Sequence, residues 1–353
     1  FGNNGVIGKN LNGKFKLGNN IDFENGEITP IGSYTSPSTN NPFTGIFDGG
    51  DKILSNFTIK ASSDYAGLFA YNKGVIKNVV VDSASFIIAG VMYNLGIIAG
   101  YNEGRIENCE VNNSSVKKTD SNNFPSCYVG GIAGRNKKVS DDYPGQITGC
   151  SVNNMEIEAL SICGSIVGYN NGTIENCSSS GSVTGSWSTS EAGGLVGSSL
   201  GGKITGCSSS CDVIYVTSST NSDACEFGGL IGYVNNSVIT DCFSTGTVSA
   251  GNANNVGGLI GLFESGTVSG KTYSTGAVTG NSNIGGLIGK LGTGLAIEGS
   301  SSDYISSSGT VTGNSNVGGL IGCVSSNTQI NYCKSTSSVI AGASPTQNFG
   351  GLI

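Results

Sequence analysis

The sequence predicts an all-β chain wound as a right-handed parallel β-helix, with three short strands per coil and about 12 coils of about 30 residues. Three observations predict it. One phrase recurs ten times, as in Gly193-Gly194-Leu195-Val196-Gly197, Gly228-Gly229-Leu230-Ile231-Gly232 and Gly257-Gly258-Leu259-Ile260-Gly261. Each repeat then holds short runs of Val, Ile and Thr between Gly, Asn and Ser, which suits strands and turns and not helices. Glycine makes up 58 of 353 residues without a three-residue period, and prolines number 6, so the chain is not collagen.

The Leu-like position of each phrase falls at 68, 98, 132, 166, 195, 230, 259, 287, 320 and 352, in steps of 28 to 35 residues. From Gly164 one coil reads Ser165-Ile166-Val167-Gly168, then Gly172-Thr173-Ile174-Glu175-Asn176-Cys177, then Gly181-Ser182-Val183-Thr184-Gly185. The three runs become three strands, each pairing with the coil above and below. Gly194, Gly229, Gly258, Gly286 and Gly319 hold the corner beside Leu195, Leu230, Leu259, Leu287 and Leu320, where Gly-Gly pairs allow close backbone approach and several are expected at positive φ. Residues 1–65 carry more aromatics and are read as irregular coils that start the solenoid; residues 66–353 form the repeats and stop inside one.

The Gly-Gly-Leu-Ile-Gly phrase, with Ile-x-Asn-Cys-x-Ser and Gly-x-Val-x-Gly after it, resembles the GLUG repeat of microbial surface proteins. The segment Phe43-Thr44-Gly45-Ile46-Phe47-Asp48-Gly49 resembles the preface of such repeats. The likeness extends over residues 12–353 and implies an adhesin-like role outside the cell or at its surface.

Composition excludes several classes. Net charge is −7 with no basic stripe, which gives no footing to nucleic-acid binding. No apolar run reaches the roughly 18 residues of a membrane span. Histidine is absent, which removes Ser-His and Cys-His nucleophiles and the commonest metal ligand. Gly289-Lys290-Leu291 lacks the rest of a phosphate loop and reads as a repeat corner. Asp48, Asp51, Asp141 and Asp142 are the nearest approach to an acidic cluster and read as turn residues. No cofactor or metal site is expected.

Six of the 11 cysteines, Cys109, Cys150, Cys177, Cys207, Cys242 and Cys333, share one slot, with Val79, Thr272 and Ser300 replacing them in other coils. A column of small apolar residues favours packed, reduced thiols. Cys211 and Cys225 flank one loop as a candidate disulfide, and Cys127 and Cys163 could bridge adjacent coils. Sequons stand at Asn56, Asn112, Asn113, Asn171, Asn176 and Asn235, with Asn176 expected in a stacked turn. Ser182-Val183-Thr184, Thr247-Val248-Ser249, Ala277-Val278-Thr279 and Thr310-Val311-Thr312 place hydroxyls on either side of an inward Val.

Function follows as an expectation: a non-catalytic rod that presents polar faces and loops to a protein or glycan on another surface. The alternative is a subunit of an extracellular filament, stacking on copies of itself. An ice-binding array and a polysaccharide-processing enzyme are lesser alternatives; the enzyme needs carboxylates gathered on one face.

Overall fold

The structure, a computed structural model, describes residues 5–34, 40–60, 64–88, 94–118, 127–140, 145–159, 161–186, 191–216, 225–293 and 295–353. Every strand pair between coils runs parallel, and no helix occurs among the described residues. Three sheets of 26, ten and nine strands run along the rod. The ten-stranded sheet counts ten turns, and a lead-in coil, Lys14–Lys16 and Ile21–Ile28, pairs beneath Ile46–Lys60. Together these are slightly fewer than the twelve expected, because residues 1–65 supply only the lead-in coil and most of one full turn.

The coil at 203–235 shows the pattern. Lys203–Thr205, Ser208–Ser209 and Asp212–Tyr215 lie in the 26-stranded sheet, Glu226–Gly228 in the ten-stranded sheet, and Ile231–Asn235 in the nine-stranded sheet. The recurring phrase is therefore not one strand. It breaks at Gly-Gly, so its two halves belong to different sheets.

That break explains the glycines, and it corrects the expectation of positive φ. None of Gly194, Gly229, Gly258, Gly286 and Gly319 lies in the left-handed region. A Cβ on any of them would instead overlap the carbonyl oxygen of the next coil's phrase, and a serine hydroxyl approaches from inside. Ser179 Oγ donates to Gly194 O at 2.8 Å and Ser307 Oγ to Gly319 O at 2.6 Å. The left-handed positions fall elsewhere, mostly on Asn. Asn78, Asn108, Gly149, Asn176, Gly206, Asp241 and Tyr332, with φ between 50 and 63°, each precede the slot of the cysteine column. Asn tolerates that conformation at low cost, which is why the corner alternates Asn with Gly.

Behind this corner Cys109, Cys150, Cys177, Cys207 and Cys242 stack as buried thiols. Cys177 Sγ donates to Glu175 O at 3.3 Å, and Cys207 Sγ accepts the Cys177 N–H at 3.4 Å. Hydrogen bonding between neighbouring thiols, then burial, holds the thiols of Cys150, Cys177, Cys207 and Cys242 well above their ordinary pKa. Val79 and Thr272 occupy the column as expected, but Ile305 and not Ser300 does so in the next coil, where it pairs with Cys333. Ser300 lies instead in an inserted turn that its hydroxyl closes on the Asp303 N–H.

Cys211 and Cys225 are separate buried thiols, without the expected bridge. Cys211 Sγ points inward to Ser165 Oγ at 3.2 Å, and the loop between the two cysteines, 217–224, lies outside the described residues. Cys127 and Cys163 do not face one another either: Cys163 pairs in register with Val129, two residues after Cys127. The Val residues of the Thr/Ser runs are buried, yet the outer column reads Thr184, Ile214, Ser249, Thr279, Thr312, Ile340. Two isoleucines interrupt the flat hydroxyl array that ice binding needs.

Inside, one hydrophobic cluster runs from Ile7 to Ile321 with no gap at residue 65. Phe43, Phe47, Phe57, Phe69 and Phe86 fill its N-terminal coils. Beside it runs a buried polar column. Asn72, Asn102, Asn136 and Asn170, each the last residue of its phrase, donate side chain to side chain at 2.8, 2.8 and 2.9 Å. Ser199 and Ser237 extend the line at 3.4 and 3.0 Å. Beyond them the same register holds Val234, Phe263, Leu291 and Val324.

Candidate binding groove

The last glycine of the phrase marks a concave corner in eight coils. A Cβ on Gly100, Gly134, Gly168, Gly197, Gly232, Gly261, Gly289 or Gly322 would lie under 3.0 Å from the backbone nitrogen of a residue in the preceding coil's ten-stranded-sheet strand. The two smaller sheets therefore fold directly onto one another, and side chains pointing outward on either side line a groove along the rod. One wall is the column Tyr65, Asn94, Tyr128, Ile162, Glu191, Glu226. The other is Tyr71, Tyr101, Arg135, Tyr169, Ser198, Tyr233, of which Tyr71, Tyr101 and Ser198 are buried. At the C-terminal end, Asn316 and Asn348 face Cys323 across it.

The N-terminal stretch is aromatic. Tyr65 and Tyr101 meet across the groove at 5.6 Å between ring centroids and Tyr128 and Tyr169 at 5.2 Å, while Tyr71 and Tyr101 meet along one wall at 5.0 Å. Tyr34, at the start of an N-terminal loop, packs on Tyr65 at 4.5 Å. Glu103 accepts the hydroxyls of Tyr71 and, at 3.0 Å, Tyr101, and pairs with Lys73 at 3.3 Å. Burial, reinforced by Glu103, keeps both phenols protonated. Arg135 lies over three rings, with its Cζ 4.7 Å from the centre of Tyr169, 5.6 Å from Tyr128 and 5.8 Å from Tyr101.

Further along, the groove turns acidic. Glu191 and Glu226 pair directly in register, about 4.8 Å apart at the backbone. In the sequence 35 residues separate these two acids; only the coil length brings them together. Burial pushes the Glu226 carboxyl up to about 8, with Glu191 adding to the shift. Burial also raises Glu191, whose Oε2 has no hydrogen-bond partner among the described residues. A carboxyl that holds its proton longer when folded than when unfolded gives stability below its ordinary value of 4.5, and loses it as pH rises through about 8. The melting temperature should therefore fall between about pH 5 and pH 8, and Glu226→Gln should flatten that fall. A slope unchanged in the variant would remove Glu226 as its source.

The other expected sites resolve as structure. Lys290 takes the groove position of Leu262 and Cys323. Asp48 Oδ1 accepts the Gly50 N–H at 3.0 Å and Asn78 Nδ2 at 3.0 Å, and Asp51 is a left-handed turn residue. Asp141 and Asp142 lie outside the described residues. Asn176 sits in the stacked corner under Gly206, as expected, while Asn113 and Asn56 use their amides to reach Asp82 and Asp22 in the preceding coil. Tyr71, Tyr101, Arg135 and Tyr169 stand inside the recurring phrase, one residue before its terminal Asn, and that alternation is the signal the sequence offers.

A model of the GLUG motif matches residues 163–184 and 223–249. No curated protein matches the chain. A solved structure from Bacteroides ovatus, named provisionally as an immunoglobulin A1 protease, is similar at 21% identity and a TM-score of 0.44, over 76% of this chain and 70% of that one. With two matched segments of the motif set in a continuous stack of parallel coils, the chain is a parallel β-solenoid that carries GLUG repeats.

Proposed function

We propose that this chain is a non-catalytic, adhesin-like rod acting outside the cell or at its surface, and that its groove is the face it presents to a partner. The GLUG motif and the solenoid fit an extracellular repeat protein. One observation carries the groove: inward positions repeat the same few residues, while the groove walls collect tyrosines and Arg135, which coil stacking does not need. The test is binding of the labelled chain to immobilised matrix proteins and a glycan panel, with soluble polysaccharides assayed in parallel for new reducing ends. Saturable binding without release of product supports the reading; no binding to any surface counts against it.

A second reading, a polysaccharide-processing enzyme, draws on the Glu191–Glu226 pair, where a carboxyl held protonated near neutral pH stands beside another acid. Product release that Glu226→Gln abolishes would replace the first reading with this one. Filaments in electron micrographs of the protein from its source would favour the structural polymer instead.

A further inference from the structure

The geometry points to a carboxylated sugar, within a longer glycan, as the ligand of the Tyr/Arg stretch of the groove; we infer this on the reading of the groove as the binding face. Arg135 is the centre of the site. Its guanidinium lies among the rings of Tyr101, Tyr128 and Tyr169 at 4.7 to 5.8 Å, which fixes its plane before any ligand arrives. Its Nε is buried, and among the described residues it has neither a hydrogen-bond partner nor a paired carboxylate. The nearby acid Glu103 is already taken up by Lys73, Tyr71 and Tyr101. Glu191 stands beyond Ile162, two coils along. The stretch thus offers one guanidinium, packed on neutral phenols and with an unpaired Nε, to an incoming anion.

A guanidinium in that state matches the two oxygens of a carboxylate. The flanking rings match the apolar C–H face of a pyranose, which a tyrosine ring receives through dispersion and weak C–H contacts. An acidic peptide supplies the carboxylate without the flat ring face. A linear glycan supplies both at regular intervals, and the groove runs along the coil stack with a step of about 4.8 Å. The chain's net charge of −7 does not favour bulk polyanions, so recognition rests on the single placed cation and not on a basic patch.

The experiment is calorimetric titration of the whole chain with oligogalacturonate and sialyllactose, against lactose, a neutral galactan and poly-glutamate. At least one carboxylated sugar should bind, and the neutral sugars should bind at least about 10-fold more weakly. Arg135→Gln should weaken the acidic sugar by about 10- to 100-fold and leave any neutral sugar unchanged. Tyr169→Ala should weaken both. Arg135→Lys keeps the charge and loses the fork, so it should fall between wild type and Arg135→Gln, and it serves if the Gln variant does not fold. No binding of either carboxylated probe, poly-glutamate binding as tightly as the sugars, or binding indifferent to Arg135 each overturns the inference. The broader reading survives those results if the chain still holds a matrix protein or another glycan, and falls with them if it holds none.

Discussion

Gly258→Val should unfold the rod locally and lower its stability by at least about 3 kcal/mol. The side chain has nowhere to go. A Cβ at Gly258 would overlap the carbonyl oxygen of Gly286 on one side and come within 2.9 Å of Ser274 Oγ on the other. The first is backbone in the next coil, and the Leu259 N–H to Leu287 O and Ile260 N–H to Leu287 O bonds beside it hold the two coils at 2.8 and 3.0 Å. Relief requires the coils to part, which gives up ladder bonds in a dry interior. The control is Gly251→Val, where a Cβ meets nothing within 4 Å. Urea titration followed by circular dichroism reads both. Equal midpoints for Gly258→Val and Gly251→Val would mean that the phrase register is wrong.

Asn136→Ala should cost about 2–4 kcal/mol, and Asn136→Leu no less. Asn136 is fully buried and serves both neighbours: it accepts from Asn102 at 2.8 Å and donates to Asn170 at 2.9 Å and Gly145 O at 3.1 Å. Removing it strands an amide donor above and weakens an acceptor below, and an apolar replacement satisfies neither. The four asparagines act as one chain of dipoles, so losses are not additive. Asn102→Ala combined with Asn136→Ala should cost less than the two single variants together, because they share one bond. Full additivity in the denaturation midpoints would show that the ladder carries no coupling.

The solenoid was legible because stacking imposes a period, and Gly194, Gly229 and Gly258 announce it whatever their neighbours do. The cysteine column was legible for the same reason, down to Val79 and Thr272. Failures came where the local chain departs from the period. The insertion Ser300–Asp303 displaced the expected slot by five residues to Ile305, since spacing alone cannot tell which residues bulge. Of the two properties expected of the phrase glycines, the close backbone approach holds and the positive φ does not, because a carbonyl of the next coil demands Gly there while Asn takes the left-handed corners. The groove escaped notice because its walls alternate Tyr, Arg, Ser and Glu. Their common position shows only when residues about 30 apart are laid side by side.

The buried amide line has a consequence for how the chain finds its winding. Near-identical repeats invite a coil to dock on the wrong neighbour, skipping one turn and leaving it looped out. In the column at the end of the phrase, the order is Asn72, Asn102, Asn136, Asn170, Ser199, then Val234 and Phe263. Were the coils of Ser199 and Val234 both skipped, losing Ser199 and Ser237 together, Asn170 would face Phe263 with the donor it gives to Ser199 unmet in an oily interior. The transition from amide to hydroxyl to hydrocarbon thus marks where the asparagine coils end, and forms mis-threaded across that boundary lose a hydrogen bond where water cannot replace it.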